Sequence, residues 1–358
     1  YMLLKKLWRT IGLYRAQFIS MIIMITLGIG IFVGFNIEWV SIEKNTDNFY
    51  KETGFADYRI VSESGFSAED LEKIKDIDGV EKASRYIYFN ADVEERNGDA
   101  VSLTVTENAD VSGLKIISGE KYDKNDTESV WLSDKYASVN QLKTGDEITL
   151  KYKNFVIKCK IKGLIKSSEY LICVRDSSQL MPDYTTFGFA YISPAFYEKI
   201  AGTDYYTQIN VISDMDKKKF TEKADEALGK TSLILTKDEV GSYSLARGEA
   251  DEGKTMGLIL PVLFLLIAVL TMVTTMHRLT AKEKTQIGTL KALGFKDRRI
   301  LVHYTFYAFI IGIIGSALGI FLGYGIAYFI MNPNGMMGTY FDMQKWKLYM
   351  PGFCVITV

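Results

Sequence analysis

The sequence predicts a membrane α-helical protein with three complete spans, a truncated fourth, and an extracytoplasmic α+β domain containing a β-rich insert. Three observations carry that prediction. Residues 16–37 and 255–277 hold no charge, and neither do residues 300–341, whose apolar part is assigned to 301–331. Each matches the roughly 20 apolar residues that a helix rising 1.5 Å per residue needs to cross a bilayer core. The charges are also unevenly placed. The 358 residues sum to a net charge of −1, but residues 38–254 hold 40 of the 43 acids and 29 of the 42 bases, and the rest of the chain is net +10. Between the first two spans the pattern turns to period-two alternation punctuated by Gly and Asp, the texture of short strands and helices in water.

Residues 1–15 read as a cytoplasmic interfacial helix. Leu3, Leu4, Leu7, Trp8 and Ile11 share one helical face, and Lys5, Lys6 and Arg9 lie off it to meet anionic headgroups. Residues 16–37 form the first span. Its apolar part is longer than a signal peptide's and no small-x-small cleavage site follows, so it reads as an uncleaved anchor. Thr26, Gly30 and Gly34 recur every fourth residue in this span, and Gly315, Gly319 and Gly323 do so in the third, a spacing that lets helix backbones approach closely.

Residues 38–254 have the length of an independent domain. Strands are expected at 58–62, 85–90 and 101–106, with Asn97-Gly98 as a hairpin turn and a helix capped by Ser67 with Asp70 at its third position. A β-rich insert follows at about 110–185. It holds a short helix near 134–142, a Gly145-Asp146 turn, and alternation through Ile148, Leu150 and Tyr152, then Phe155, Ile157, Cys159 and Ile161. Strands near 187–192, 206–212 and 231–236 alternate with helices near 194–201 and 215–229. Cys159 and Cys173 are expected in neighbouring strands of a hairpin, either as unpaired small apolar residues or as a disulfide.

The second span covers 255–277, a coupling loop 278–300, the third span 301–331, and an outer loop 332–347. Residues 348–358 open a fourth apolar stretch that stops short, as in a fragment of a longer protein. Bases concentrate before residue 16 and in the 278–299 loop, where seven bases face Glu283 and Asp297. The positive-inside rule puts both in the cytoplasm and residues 38–254 outside a cell membrane.

Chemistry-bearing motifs are sparse. Residues 248–255, GEADEGKT, fit the phosphate-loop formula, but three acids would repel the ligand and Thr255 opens a span, so the match reads as chance and no cofactor is assigned. The sequence contains no HExxH, CxxC or GxSxG, and its two histidines stand apart at span ends, so neither a catalytic residue nor a metal site is expected. The spans hold no Asp, Glu, Lys or Arg, which excludes a carrier with an ionisable path at the midplane. The 278–300 loop is more telling. Ile287, Leu290, Ala292 and Leu293 cluster, Gly294 can end a helix and Asp297 can start the next.

That loop, EKTQIGTLKALGFKDRRI over 283–300, resembles the signature between the second and third spans of FtsX-like permease domains. Residues 38–254 resemble the extracytoplasmic core of MacB-type permeases, notably at Asp70, Ile74 and Ile77-Asp78-Gly79-Val80, with Gly145-Asp146 and Gly163-Leu164 fitting the same pattern. The resemblance implies a transmembrane subunit of an ABC transporter that is not itself an enzyme. A dimeric cytoplasmic ATPase would bind ATP and Mg. Glu283, Gln286, Ile287, Leu290, Lys291, Ala292, Leu293 and Gly294 would form the ATPase-coupling helix. The mechanism implied is mechanotransmission on an amphipathic substrate such as a lipid, lipoprotein, peptide antibiotic or drug. The alternative is an FtsX-like scaffold that regulates a cell-wall hydrolase through its outer domain. A second permease unit, or a second half of the same polypeptide, and membrane lipids are the other expected partners; nucleic acid is not.

Overall fold

The structure, a computed structural model, describes residues 9–176, 178–332, 334–343 and 345–357. Most of the expected interfacial helix, residues 1–8, lies outside the described residues; residues 9–13 are helical. The chain divides into two compact units. A helical unit takes in residues up to Glu43, Glu249–Gly335 and Trp346 onward; a sheet unit takes in Lys44–Gly248 and Met336–Lys345.

Helix α1 (Arg15–Glu52) continues well past the last residue of its apolar run. It stops where Gly54 takes φ 61°, with the Phe55 amide reaching back to the Tyr50 carbonyl. A side chain at 54 would also strike the Asp110 carbonyl, so only glycine fits.

The sheet unit is built on ten strands. These are β1 (Tyr58–Phe66), β2 (Val80–Val93), β3 (Ala100–Thr106), β4 (Leu114–Gly119), β5 (Ser129–Ser133), β6 (Glu147–Tyr152), β7 (Phe155–Ser167), β8 (Phe187–Ile192), β9 (Tyr206–Ser213) and β10 (Leu233–Thr236). They pair in the order β10-β1-β9-β2-β3-β8-β5-β7-β4, with β6 joining β7 to the far end of β2. The insert expected at 110–185 does contribute strands, but they extend this one sheet and do not form a sheet of their own. The reason lies in β3 and β8, which run parallel with Ala100 opposite Phe187. A parallel pair needs a long crossover connection, and the insert is that crossover.

Helices α2 (Ala68–Lys75) and α5 (Lys217–Leu228) cover β1, β9 and β10, burying Leu71, Ile74 and Phe220 against Ile60, Ile209 and Val211. Ser67 and Asp70 exchange the two hydrogen bonds of a capping box at the start of α2. Helices α3 (Asp134–Val139) and α4 (Pro194–Ala201) bury Tyr136 and Phe196 in a second cluster with Val101, Leu103, Val130 and Ile148. Cys159 lies in that cluster on β7; Cys173 follows a 3-10 turn, outside any strand, in a separate cluster around Trp131 and Phe189. The hairpin expected to bring the two cysteines together is therefore absent, and both thiols are free and buried. Burial pushes the Cys159 thiol up to about 12.

Helices α6 (Gly241–Lys282), α7 (Lys284–Ala292) and α8 (Asp297–Ile330) follow. Among the described residues, α1, α6 and α8 are the three helices long and apolar enough to cross a membrane. The stretch expected to be a plain outer loop, 332–347, holds the short helix α9 (Met336–Tyr340), which belongs to the sheet unit. The ammonium of Lys166 sits 2.5 Å from Asp342 Oδ1 and 3.3 Å from Asp134, and both Lys166 and Asp342 are almost fully buried. Lys135 Nζ donates to the carbonyls of Gly338 and Phe341 at 2.6 Å each, and the Asp342 amide donates to the Leu171 carbonyl. The segment is thus an integral part of the sheet unit. Helix α10 (Gly352–Thr357) begins the fourth apolar stretch.

Breaking a buried ion pair strands a charge, whereas replacing both partners with apolar groups does not. Asp342→Ala should therefore lower the stability of the sheet unit by about 3 kcal/mol, and Lys166→Met combined with Asp342→Leu by much less, in denaturant titrations of the full chain. Burial also pushes the Lys135 ammonium down to about 8, with Asp342 pulling it back up. The folded protein then holds fewer protons than the unfolded chain between that value and the ordinary lysine range, so stability contributed at this site rises with pH through that window and is lowest below it. Lys135→Met should flatten this rise when thermal unfolding is followed from pH 7.5 to 10.

Candidate coupling helix and span contacts

The loop after α6 folds as a separate short helix because its ends are chemically fixed. Gly294 takes φ 83°, and the Phe295 amide reaches back to the Leu290 carbonyl, closing α7. Lys291 and Asp297 then pair at 2.7 Å on the surface, across the turn into α8. No residue of α7 is fully buried. Ile287 and Leu290 are half-buried, and Gln286, Lys291, Ala292, Leu293 and Gly294 are exposed, Leu293 to 65 %. These side chains form one accessible surface on the helical unit.

Glu283 does not share it. Grouped by sequence with the coupling residues, it is 4 % exposed and turned inward, accepting from the Tyr304 hydroxyl at 2.5 Å and from Thr10 Oγ1 at 3.3 Å. Tyr304 and Tyr307 continue into an aromatic cluster with His303 and Phe18. A carboxylate taken from water needs such donors, and it binds the N-terminal segment, the start of α7 and α8 to one another. Glu283 is a positioning residue for α7 and not part of its outer face.

The two glycine stripes meet each other. Added Cβ atoms at Gly315, Gly319 and Gly323 would lie 2.9, 2.7 and 2.6 Å from the Cβ atoms of Ile25, Ile29 and Val33 on α1. In return Leu322 and Ile326 of α8 seat over Gly30 and Gly34. Thr26 Oγ1 adds a hydrogen bond to the Gly315 carbonyl at 3.3 Å. The stripes are packing surfaces, one knob per helical turn.

The phosphate-loop match is wholly helical. Residues 248–255 lie inside α6, where backbone amides are engaged in helix hydrogen bonds. Gly253 lets α6 approach Trp39, whose Cβ would lie 3.2 Å from an alanine methyl there, and Lys254 lies over the Trp39 ring. Thr255 Oγ1 donates to the Asp251 carbonyl of its own helix.

One buried polar residue joins α1 to α6 through a contact that sequence pattern does not reveal. Pro261 lies inside α6 and has no N–H to offer the Gly257 carbonyl. Asn36 of α1, 3 % exposed, points Nδ2 at that carbonyl from 3.5 Å while donating to the Phe32 carbonyl at 2.7 Å and accepting from Trp39 Nε1 at 2.9 Å. The signals present are a lone asparagine near the end of one span and a lone proline in another, and neither says that they meet. Asn36→Leu should cost the helical unit about 1 kcal/mol in thermal unfolding. It should cost clearly less in a Pro261→Ala background, where the helix supplies its own donor.

The model of the FtsX-like permease C-terminal family matches residues 258–357. A comparison with curated proteins finds no match. Among solved structures, the chain is similar to the extracellular domain of the noncanonic ABC-type transporter YknZ from Gram-positive bacteria, at 15 % identity and TM-score 0.36 over 49 % of this chain and 90 % of that one. It is also similar to the periplasmic region of MacB from Actinobacillus actinomycetemcomitans, at 14 % identity and TM-score 0.35 over 53 % and 91 %. The residues that match the FtsX-like permease C-terminal family, 258–357, hold most of α6, all of α7 and α8 and the glycine stripe of α8.

Proposed function

We propose that this chain is the transmembrane subunit of a MacB/FtsX-type ABC transporter, seated in a cell membrane with α7 in the cytoplasm and the sheet unit outside. In this reading ATP is hydrolysed by a separate cytoplasmic ATPase dimer. Its closure moves α7 and the spans, and the sheet unit acts on an amphipathic substrate. The carrying observation is α7: a short helix between two spans, capped at Gly294, tied from behind through Glu283, and presenting Ile287, Leu290 and Leu293. A solvated connector has no use for apolar side chains on a buttressed helix. The length of α1 and α6 supports the rest. At 1.5 Å per residue a helix of 42 residues extends about 63 Å, so force applied near Lys282 travels along one helix whose backbone ladder has a gap at Pro261, where Asn36 supplies a donor. The apolar flank of α6, with Val262, Leu266, Leu270 and Val273 exposed, suits lipid or a second permease unit.

Co-purification with the cognate ATPase tests the reading. Ile287→Asp with Leu290→Asp should abolish association and leave thermal unfolding unchanged, because both side chains are at most half-buried. Association that survives both changes sinks the coupling role.

A further inference from the structure

The sheet unit contains a cavity that the permease reading leaves without a role. It has a volume of about 430 Å³ and lies between the β6–β7 hairpin, strand β2 and helix α4. That volume falls within the roughly 300–1,000 Å³ of small-molecule sites. Ile87, Phe89, Ile157, Ile200 and Ala201 supply aliphatic and aromatic wall, and the Phe89 and Tyr152 rings lie 4.5 Å apart. Tyr88, Tyr152 and Thr207 add polar groups to the lining, while two further tyrosines spend their hydroxyls elsewhere: Tyr197 donates to the Tyr205 carbonyl and Tyr205 to the Glu63 carbonyl. Their rings therefore turn carbon toward the space. Of the lining residues, Tyr88 and Phe155 are 59 % and 49 % exposed, large aromatic rings left in water.

A single charged side chain lines the cavity. Lys153 stands on the two-residue turn between β6 and β7, with φ 52° and its ammonium 5.1 Å from the centre of the Tyr152 ring. Left-handed positions in such turns favour glycine or asparagine, and Asn154 is the next residue. The chain thus holds a lysine in a strained conformation where an uncharged residue would rest more easily, which directs attention to what the ammonium does. An apolar, aromatic-walled cavity with one cation at its rim complements a ligand with an apolar body and one anionic end.

We propose that this cavity binds an anionic amphiphile, its alkyl or aryl body between Phe89, Tyr197 and Ile200 and its acidic group on Lys153. The proposal deepens the permease reading by naming a substrate class, and its test does not involve the ATPase, so either can fail alone. The full chain is placed in lipid nanodiscs and photolysed with a diazirine-bearing dodecanoate or the matching dodecanol, and labelled peptides are mapped. The carboxylate should label peptides containing Tyr88, Phe155 and Tyr205 about tenfold more strongly than the alcohol, the worth of one charge-assisted contact. Lys153→Ala should erase that preference and Lys153→Arg retain it. Lys153→Gly should raise stability while lowering labelling, because it relieves the turn and removes the charge. Ala201→Trp should fill the cavity and abolish labelling there. Equal labelling by acid and alcohol, labelling indifferent to Lys153, or label confined to 16–37, 255–277 and 301–331 overturns the proposal.

Discussion

Lipid offers apolar helices no hydrophobic reason to associate, so a membrane unit must be held by close packing and by the few polar contacts it can bury. In this protein that constraint falls first on α1. Its Ile25, Ile29 and Val33 sit against three glycines of α8, and its Gly28 and Asn36 meet Phe264 and Gly257 of α6. Neither contact tolerates a side chain where glycine now stands without displacing a neighbour. The position of α7 depends on them in turn, because Glu283 reaches its two donors only when the N-terminal segment and α8 are side by side.

The sheet unit answers to a different rule. Its central strand β3 is buried along its whole length and pairs in parallel with a strand more than eighty residues later in the chain. Parallel pairing of that kind obliges a long excursion, and here the excursion is folded back as four further strands. The same unit admits a charge pair at its heart, Lys166 with Asp342, in which the ammonium meets Asp342 Oδ1 and Asp134 while Asp342 Oδ2 stays buried without a hydrogen bond. Buried polar residues are accordingly abundant in the sheet unit and few in the helical unit.

Much of this was legible in the sequence because the signals are local. Span length, strand alternation, the Ser67 cap and the Gly294 stop each depend on residues within a few positions of one another. Three contacts were not legible because their partners are far apart: Glu283 with Thr10, Asn36 with Gly257, and Asp342 with Lys166. Asn36 and Asp342 carry a mark that sequence does show, a polar residue beside apolar neighbours, whereas Glu283 stands between two lysines and carries none. Asp342 is the one acid after Asp297. The mark says that a partner must exist, but distance in the chain hides which. The phosphate-loop string is the reverse case, a pattern complete in letters whose helical setting removes the amides it needs.

The docking of 336–345 into the sheet unit fixes an order of events during synthesis. Strands β1 to β10 are complete once Thr236 has left the ribosome, yet Lys166 has no carboxylate from Asp342 until more than a hundred further residues and two spans have been made. At roughly 5–20 residues per second the wait is on the order of 5–20 s. During it the sheet unit carries an incomplete core in which Lys166 has Asp134 but lacks the nearer carboxylate of Asp342. Final closure of this unit therefore waits on residues made after the third apolar helix, so the two units are interleaved in the order of their synthesis.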